Sequence, residues 1–357
     1  MFTRTYEKLA ALTLVAALAG CSSNHAPIAT TPTPTASPAV LAGLATTTTI
    51  GTTVDATNGD TNPYGLAIAP ITAGLVTAGD LIVCNFNDGK GKSGAGTTIE
   101  DLKPIAGSKP VRIAQDPSLA GCDSLAINPG QGAIWVAAYT ANDNPIFLPT
   151  GVLATTLATN YPWNQPWRQI YATPTIAAGS TTAAPRAFYI TDAGDGSIIQ
   201  SNITATGLVF SQIITGFPHS VDKTYGILAP AGLTYDPASD TLYVVSSDTD
   251  SVLAFSAVST IPKNGITIAV SSTTTGGAYS PVTSTAFTFT GPNASQAKVL
   301  FSGMPLNYPV SSALLYNGDL VVGKQATISW SRSSPPRARF WEQRRSILAI
   351  QEPSSVS

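Results

Sequence analysis

APAGLTYDPASDTLYVVSSDTDSVLAFS, residues 229–256, is the stretch on which the fold turns. Small residues lead into an apolar segment, Leu233 to Tyr235, and the chain turns at Asp236-Pro237-Ala238-Ser239-Asp240. A second apolar segment, Leu242 to Val245, follows, and Asp248-Thr249-Asp250 turns the chain into Val252-Leu253-Ala254-Phe255. Short apolar runs with a period of two, bounded by Asp, Gly and Pro, are the signature of strands in hairpins. The same phrase returns as NPYGLAIAP…GDLIVCNFNDG from Asn62, CDSLAINPGQGAIWVAAYTAND from Cys122 and YPVSSALLYNGDLVVG from Tyr308. A weaker copy, PRAFYITDAGDGSIIQ from Pro185, keeps only the second half. One strand–turn–strand unit repeated at tens of residues predicts a repeat architecture. Four short strands per unit predict an all-β propeller of antiparallel four-stranded sheets.

The units span residues 51–323 and predict about six blades, with five or seven as alternatives. Apolar pairs alternate within each unit: Leu81 and Val83, Ile134 and Val136, Leu242 and Val244, Leu320 and Val322. In the faint unit, Gln169-Ile170-Tyr171 stands as the inner strand. The Thr/Ser/Gly-rich insertion at 259–298 is expected to lengthen the outer hairpins. Asn87-Asp88-Gly89 and Gly194-Asp195-Gly196 are turn chemistry, since these residues tolerate left-handed backbone angles.

Before the repeats stand two segments of other kinds. Arg4 and Lys8, the apolar run Leu9–Leu18 and the small residues Ala19-Gly20 make a secretory signal over residues 1–20. About ten apolar residues are half of the roughly 20 needed to span a bilayer as a helix. Leu18-Ala19-Gly20-Cys21 resembles the lipobox of bacterial lipoproteins, which implies cleavage before Cys21 and diacylglycerol on its thiol. Ser22 follows, not the Asp that resembles an inner-membrane retention signal, so an outer-membrane anchor in the bacterial envelope is expected. Residues 21–50 are uncharged and rich in Pro, Thr, Ala and Ser, the composition of an extended tether.

Charged residues make up only 11% of the chain, about half the usual quarter, which suits a secreted, turn-rich β protein and also an acidic habitat. The formal net charge of −2 conceals an asymmetry. Residues 22–323 hold 17 Asp/Glu against 10 Lys/Arg, hence −7, whereas the last 34 residues hold 6 basic and 2 acidic, hence +4. An acidic body with no basic patch excludes nucleic acid as a partner. Cys84 and Cys122 are an even pair in an exported chain, which leaves a disulfide and two buried thiols both open.

The pattern Pro-x-Gly-Leu-x-x-Asp-Pro…Leu-Tyr-Val…Asp-Ser-Val-Leu-x-Phe at 230–255 resembles an NHL-type repeat, kin of the YVTN and SMP-30-like propellers. LFSGMPLNYPVSSALLYNGDLVVG at 300–323 looks like the same superfamily. Residues 324–357 depart from it: an Asn/Asp turn and another strand are due, and KQATISWSRSSPPRARFWEQRRSILAIQEPSSVS stands there instead. Pro335-Pro336 and a run of arginines offer no central strand. The tail reads as translation in a shifted frame; the alternative is a genuine basic tail that contacts anionic envelope components.

Several residues are candidates for chemistry. His219, with Asp222 nearby, superficially suggests a base and its orienter, but no Gly-x-Ser-x-Gly elbow supplies a nucleophile. His25 lies in the tether. Asp88, Asp143, Asp192 with Asp195, and Asp248 with Asp250 recur after the second strand of a unit. Carboxylates converging on an axial channel could hold a hard cation such as Ca²⁺ or another divalent metal; the commoner reason for Asp at such places is the turn itself. SMP-30-like lactonases resemble the metal-binding plan, using Glu, Asn and Asp, yet Glu100 is the one glutamate of the propeller body. Tyr161, Trp163, Trp167 and Tyr171 form an aromatic cluster that could anchor peptides or sugars or fill the core between blades. The leading expectation is a non-enzymatic, lipid-anchored envelope propeller without a cofactor that binds a protein, peptide or glycan. A metal-dependent hydrolase of the SMP-30/gluconolactonase-like kind is the alternative, and a quinone-dependent redox propeller the third reading.

Overall fold

A computed structural model describes residues 48–176, 184–222, 226–272, 285–324 and 347–350. Cys21, His25 and most of the basic tail lie outside them. Three antiparallel sheets follow one another first. They are β1 (Thr61–Ile68) to β4 (Val111–Gln115) through β2 (Leu81–Asn87) and β3 (Thr98–Leu102); then β5 (Cys122–Ile127), β6 (Ile134–Ala138), β7 (Ile146–Phe147) and β8 (Leu153–Thr155); then β9 (Pro166–Ala172), β10 (Ala187–Asp192), β11 (Ser197–Thr204) and β12 (Gly207–Thr215). A two-stranded ribbon, β13 (Ser220–Asp222) and β14 (Gly226–Leu228), precedes the fourth blade. That blade consists of β15 (Pro230–Asp236), β16 (Thr241–Ser246) and β17 (Ser251–Phe255). The insertion then forms β18 (Ile266–Ser272) and β19 (Thr285–Thr290), and β20 (Ala297–Ser302) completes the blade as its outer strand. A last sheet holds β21 (Pro309–Leu314), β22 (Leu320–Lys324) and β23 (Ile347–Ile350).

The result is an all-β propeller-like fold with four complete blades, not six. Two segments account for the difference. β18 and β19 do not lengthen their own blade; β18 pairs in parallel with β12, Ile214 opposite Ile266, and extends the third sheet to six strands. Among the described residues β13 and β14 pair only with each other. The last sheet also departs from expectation, because Ile347–Ile350 supplies a third strand paired with β22, where the arginine-rich tail promised none.

Successive first strands lie side by side, β1 with β5, β5 with β9, β9 with β15 and β15 with β21, so they are the inner strands. The second strands β6, β10 and β16 are apolar on both faces because each is buried between two sheets. On β6, Ile134 and Val136 pack with Ile82, Cys84 and Ile99 of the first blade, while Trp135 turns to Phe188 of the third. On β16, Leu242 and Val244 meet Tyr189 and Ile198 of the third blade, while Tyr243 and Val245 meet Leu320 and Val322 of the last sheet. Period-two alternation thus glues the second, third and fourth blades to the sheets on both sides of them.

Among the described residues the first blade has no such partner on its far face. Leu66 and Ile68 of β1 are 61% and 68% exposed there. The segment before β1 covers the outer part of that face: Gly51 bridges Ser108, and the Asp55 carboxylate receives Arg112 in an ion pair beside buried Glu100. Burial opposes ionisation of Asp55, but the Arg112 hydrogen bonds prevail and hold its carboxyl below the usual range. Cys84 and Cys122 form a disulfide with Cα atoms 5.9 Å apart, tying β2 to β5. Gly65 makes room for it, since a Cβ there would lie 2.6 Å from Cys84 Sγ.

Candidate functional site

Every inner strand breaks its ladder near its start. Register shifts fall at Pro63/Gly65 in β1, Cys122/Ser124 in β5, opposite Ile190/Asp192 in β9, Pro230/Leu233 in β15 and Pro309/Ser311 in β21. Three of these strands begin with one local device: a residue with positive φ (Asn62 at 64°, Gln165 at 61°, Tyr308 at 52°) followed by proline, which donates no ladder hydrogen bond. Gly121, φ 70°, stands in the same place before Cys122. A bulge inserts an extra residue and re-aims its side chain. The residues so placed are Tyr64, Asp123, Trp167, Ala231 and Val310.

Four of them meet in one cluster, in which buried Trp167 and Ala231 pack with partly buried Tyr64, Tyr139 and Val310. Rings link this cluster across the first three blades. Tyr64 stacks on Phe86 with centroids 4.6 Å apart, Phe86 lies 6.3 Å from Tyr139, and Tyr139 meets Trp167 edge-on at 5.2 Å. Arg168 ties the inner strands together: its Nη1 donates to the carbonyls of Tyr64 at 2.8 Å and Asp123 at 2.6 Å. Its Nε lies 3.7 Å from Asp123 Oδ2. Gln165 donates to the Tyr139 hydroxyl at 2.9 Å.

Polar capacity is left over in this ring. Asp123 is fully buried, and neither carboxylate oxygen accepts a hydrogen bond among the described residues; Trp167 Nε1 likewise has no acceptor there. Burial pushes Asp123 up to about 7, and Arg168 restrains the rise. Burial, then the Asp123 charge, raises the Tyr64 and Tyr139 phenols. A buried polar group without a partner is costly, so such groups mark places where a ligand atom can complete the bonding.

The residues singled out from sequence are dispersed by the structure. Asp88 Oδ1 accepts from the amides of Lys90 and Lys92, Asp143 Oδ1 from those of Asn144 and Leu157, and Asp192 Oδ1 from that of Asn164. Asp195 accepts from the Asn164 side chain, Asp248 from the Ser220 hydroxyl and Asp250 from the Tyr308 amide. Among the described residues no three His, Cys, Asp or Glu side chains stand close enough together to hold a metal ion. His219 Nδ1 lies 3.4 Å from the Phe217 carbonyl, and the side chain of Asp222 is outside the described residues. Of the four aromatics, Tyr161, Trp163 and Tyr171 pack between the second and third blades with Phe188 and Phe210. Trp167 alone turns to the axis. Asp123 and Arg168 escaped the sequence reading, although the positive-φ residue and proline ahead of β1, β9 and β21 mark the bulge positions.

Fold and ring together define a propeller-like protein with an aromatic, partly unsatisfied axial cluster. No family model and no curated protein matches the chain. It is similar to a chain of a nidogen/laminin complex (15% identity, 73% of this chain and 72% of that one, TM-score 0.44). It is also similar to auxiliary nutrient binding proteins from Bacteroides ovatus (14% identity, 75% and 57%, TM-score 0.43) and Bacteroides thetaiotaomicron (12%, 76% and 58%, TM-score 0.43). The chain spans somewhat more than half the length of those two proteins.

Proposed function

We propose that this chain is a lipid-anchored binding module of a bacterial envelope that captures a glycan at the axial ring. The repeat phrasing at 230–255 supports kinship with NHL and SMP-30-like propellers, and Leu18-Ala19-Gly20-Cys21 supports the anchor. The observation that carries the reading is the set of inner-strand bulges that bring Tyr64, Asp123 and Trp167 to the axis. Tyr64 and Tyr139, half-buried, form the lip, and aromatic faces of this kind bury the C–H face of a sugar ring. Behind them Trp167 Nε1 offers a donor to a sugar hydroxyl, and Asp123 holds the Arg168 guanidinium in place. Apolar walls with a few convergent polar groups are the make-up of small-ligand sites.

Binding to an array of envelope glycans tests the reading, with Tyr64→Ala removing the stacking face and Trp167→Phe removing only the N–H. Each substitution is expected to weaken glycan binding roughly tenfold while the circular dichroism spectrum is kept. Retention of peptides but not glycans, or unchanged binding by both variants, refutes it.

A further inference from the structure

A cleft lies between the β1–β2 and β3–β4 loops of the first blade, and its lining includes no residue of the axial ring. It encloses about 350 Å³, within the size range of small-molecule sites. Two carboxylates, two amines and apolar side chains share its lining. Asp80, just before β2, and Asp101 of β3 are both 7% exposed. Asp80 Oδ2 accepts no hydrogen bond among the described residues, and neither does Ser108 Oγ on the same wall. Lys103 and Lys109 rise from the loop after β3, and Ile105 and Val111 are 61% and 60% exposed at the rim.

Asp101 shares a side-chain hydrogen bond with Asp80 and accepts from the Thr77 amide, so the polar atoms left over in the lining are Asp80 Oδ2 and Ser108 Oγ. Two neighbouring buried carboxylates repel each other, and burial followed by the Asp80 charge pushes Asp101 up to about 6. Lys103 lies close enough to ease that rise, yet neither lysine forms an ion pair among the described residues. A plain cation would be opposed by the lysines, and a plain anion by the carboxylates. A ligand with both charges and an apolar body meets every wall at once.

We infer that this cleft binds a small apolar zwitterion, a free α-amino acid of the leucine type. Its ammonium, with three donors, sits on Asp80 and Asp101. Its carboxylate faces Lys103 and Lys109, and its side chain covers Ile105 and Val111. The assignment is independent of the glycan reading, because no residue is shared with the axial ring.

Isothermal titration of the full chain with L-leucine tests the assignment. L-leucine is expected to bind, whereas N-acetyl-L-leucine, which lacks the ammonium, and L-leucinamide, which lacks the carboxylate, bind at least about tenfold more weakly. Asp80→Asn and Lys109→Ala, each checked for an unchanged circular dichroism spectrum, are expected to weaken L-leucine binding by a similar factor. Lys109 is exposed, so its variant keeps the test open if Asp80→Asn fails to fold. Absence of L-leucine binding overturns the inference. So does binding of leucinamide equal to that of leucine, or unchanged affinity in Lys109→Ala.

Discussion

Glu100→Gln is expected to stabilise this protein in mild alkali and to change little in acid. Glu100 is 1% exposed on β3, and its Oε1 accepts no hydrogen bond among the described residues. Burial, then the hydrogen bond and charge of Asp55, push its pKa from 4.5 to about 8. Between those values the folded protein keeps a proton that the unfolded chain has released. The stability tied to that proton is complete below about pH 4.5 and is lost as pH rises through about 8. A shift of about 3.5 units at ~1.36 kcal/mol each sets a ceiling of about 5 kcal/mol, and structural relaxation brings the expected loss to roughly 2–4 kcal/mol. Glutamine mimics the protonated acid and can still donate to Asp55. Urea unfolding of both proteins from about pH 4.5 to 9 gives the readout, as the separation of the two stability curves. Parallel curves, or a variant less stable at the alkaline end, refute the argument. Asp101, Asp123 and Asp192, raised to about 6, 7 and 7, act in the same sense, so the variant keeps a shallower decline. Asp55, held low by Arg112, acts oppositely and withdraws its contribution in acid. Maximum stability therefore falls on the acidic side of neutral.

Reducing the Cys84–Cys122 bridge, which closes a sequence separation of 38, is expected to cost about 3–4 kcal/mol, read as a shift of the urea midpoint with and without reductant. Gly65→Ala places a Cβ 2.6 Å from Cys84 Sγ and 3.1 Å from the Leu125 amide, so a loss of about 1–3 kcal/mol is expected in the same assay. Cys21→Ala is expected to abolish metabolic palmitate labelling, because only the thiol can take the diacylglycerol; labelling that persists contradicts the anchor.

The strands were legible in sequence because their signal is local. Leu242-Tyr243-Val244-Val245 alternates between two buried faces, and Asp248 to Asp250 turns the chain whatever surrounds it. Blade number was not local. β18 joins β12 across about fifty residues, and nothing in ITIAVSS says which sheet edge it will meet. The site was half legible. Trp167 stood out as an aromatic, but Asp123 sits between Cys122 and Ser124 without any acidic or basic neighbour, and Arg168 is hidden among rings. Their partnership spans 45 residues and exists only because two inner strands lie side by side.

The bridge between β2 and β5 has a mechanical consequence. β3 and β4 lie wholly inside the covalent loop, so a load applied along the chain passes from Cys84 straight to Cys122 and bypasses the outer half of the first blade. The 38 residues of separation, at ~3.4 Å each when drawn out, amount to about 130 Å of contour that tension alone cannot release. Pulled in an oxidising medium, the domain yields a shortened extension; with reductant present, the missing length appears.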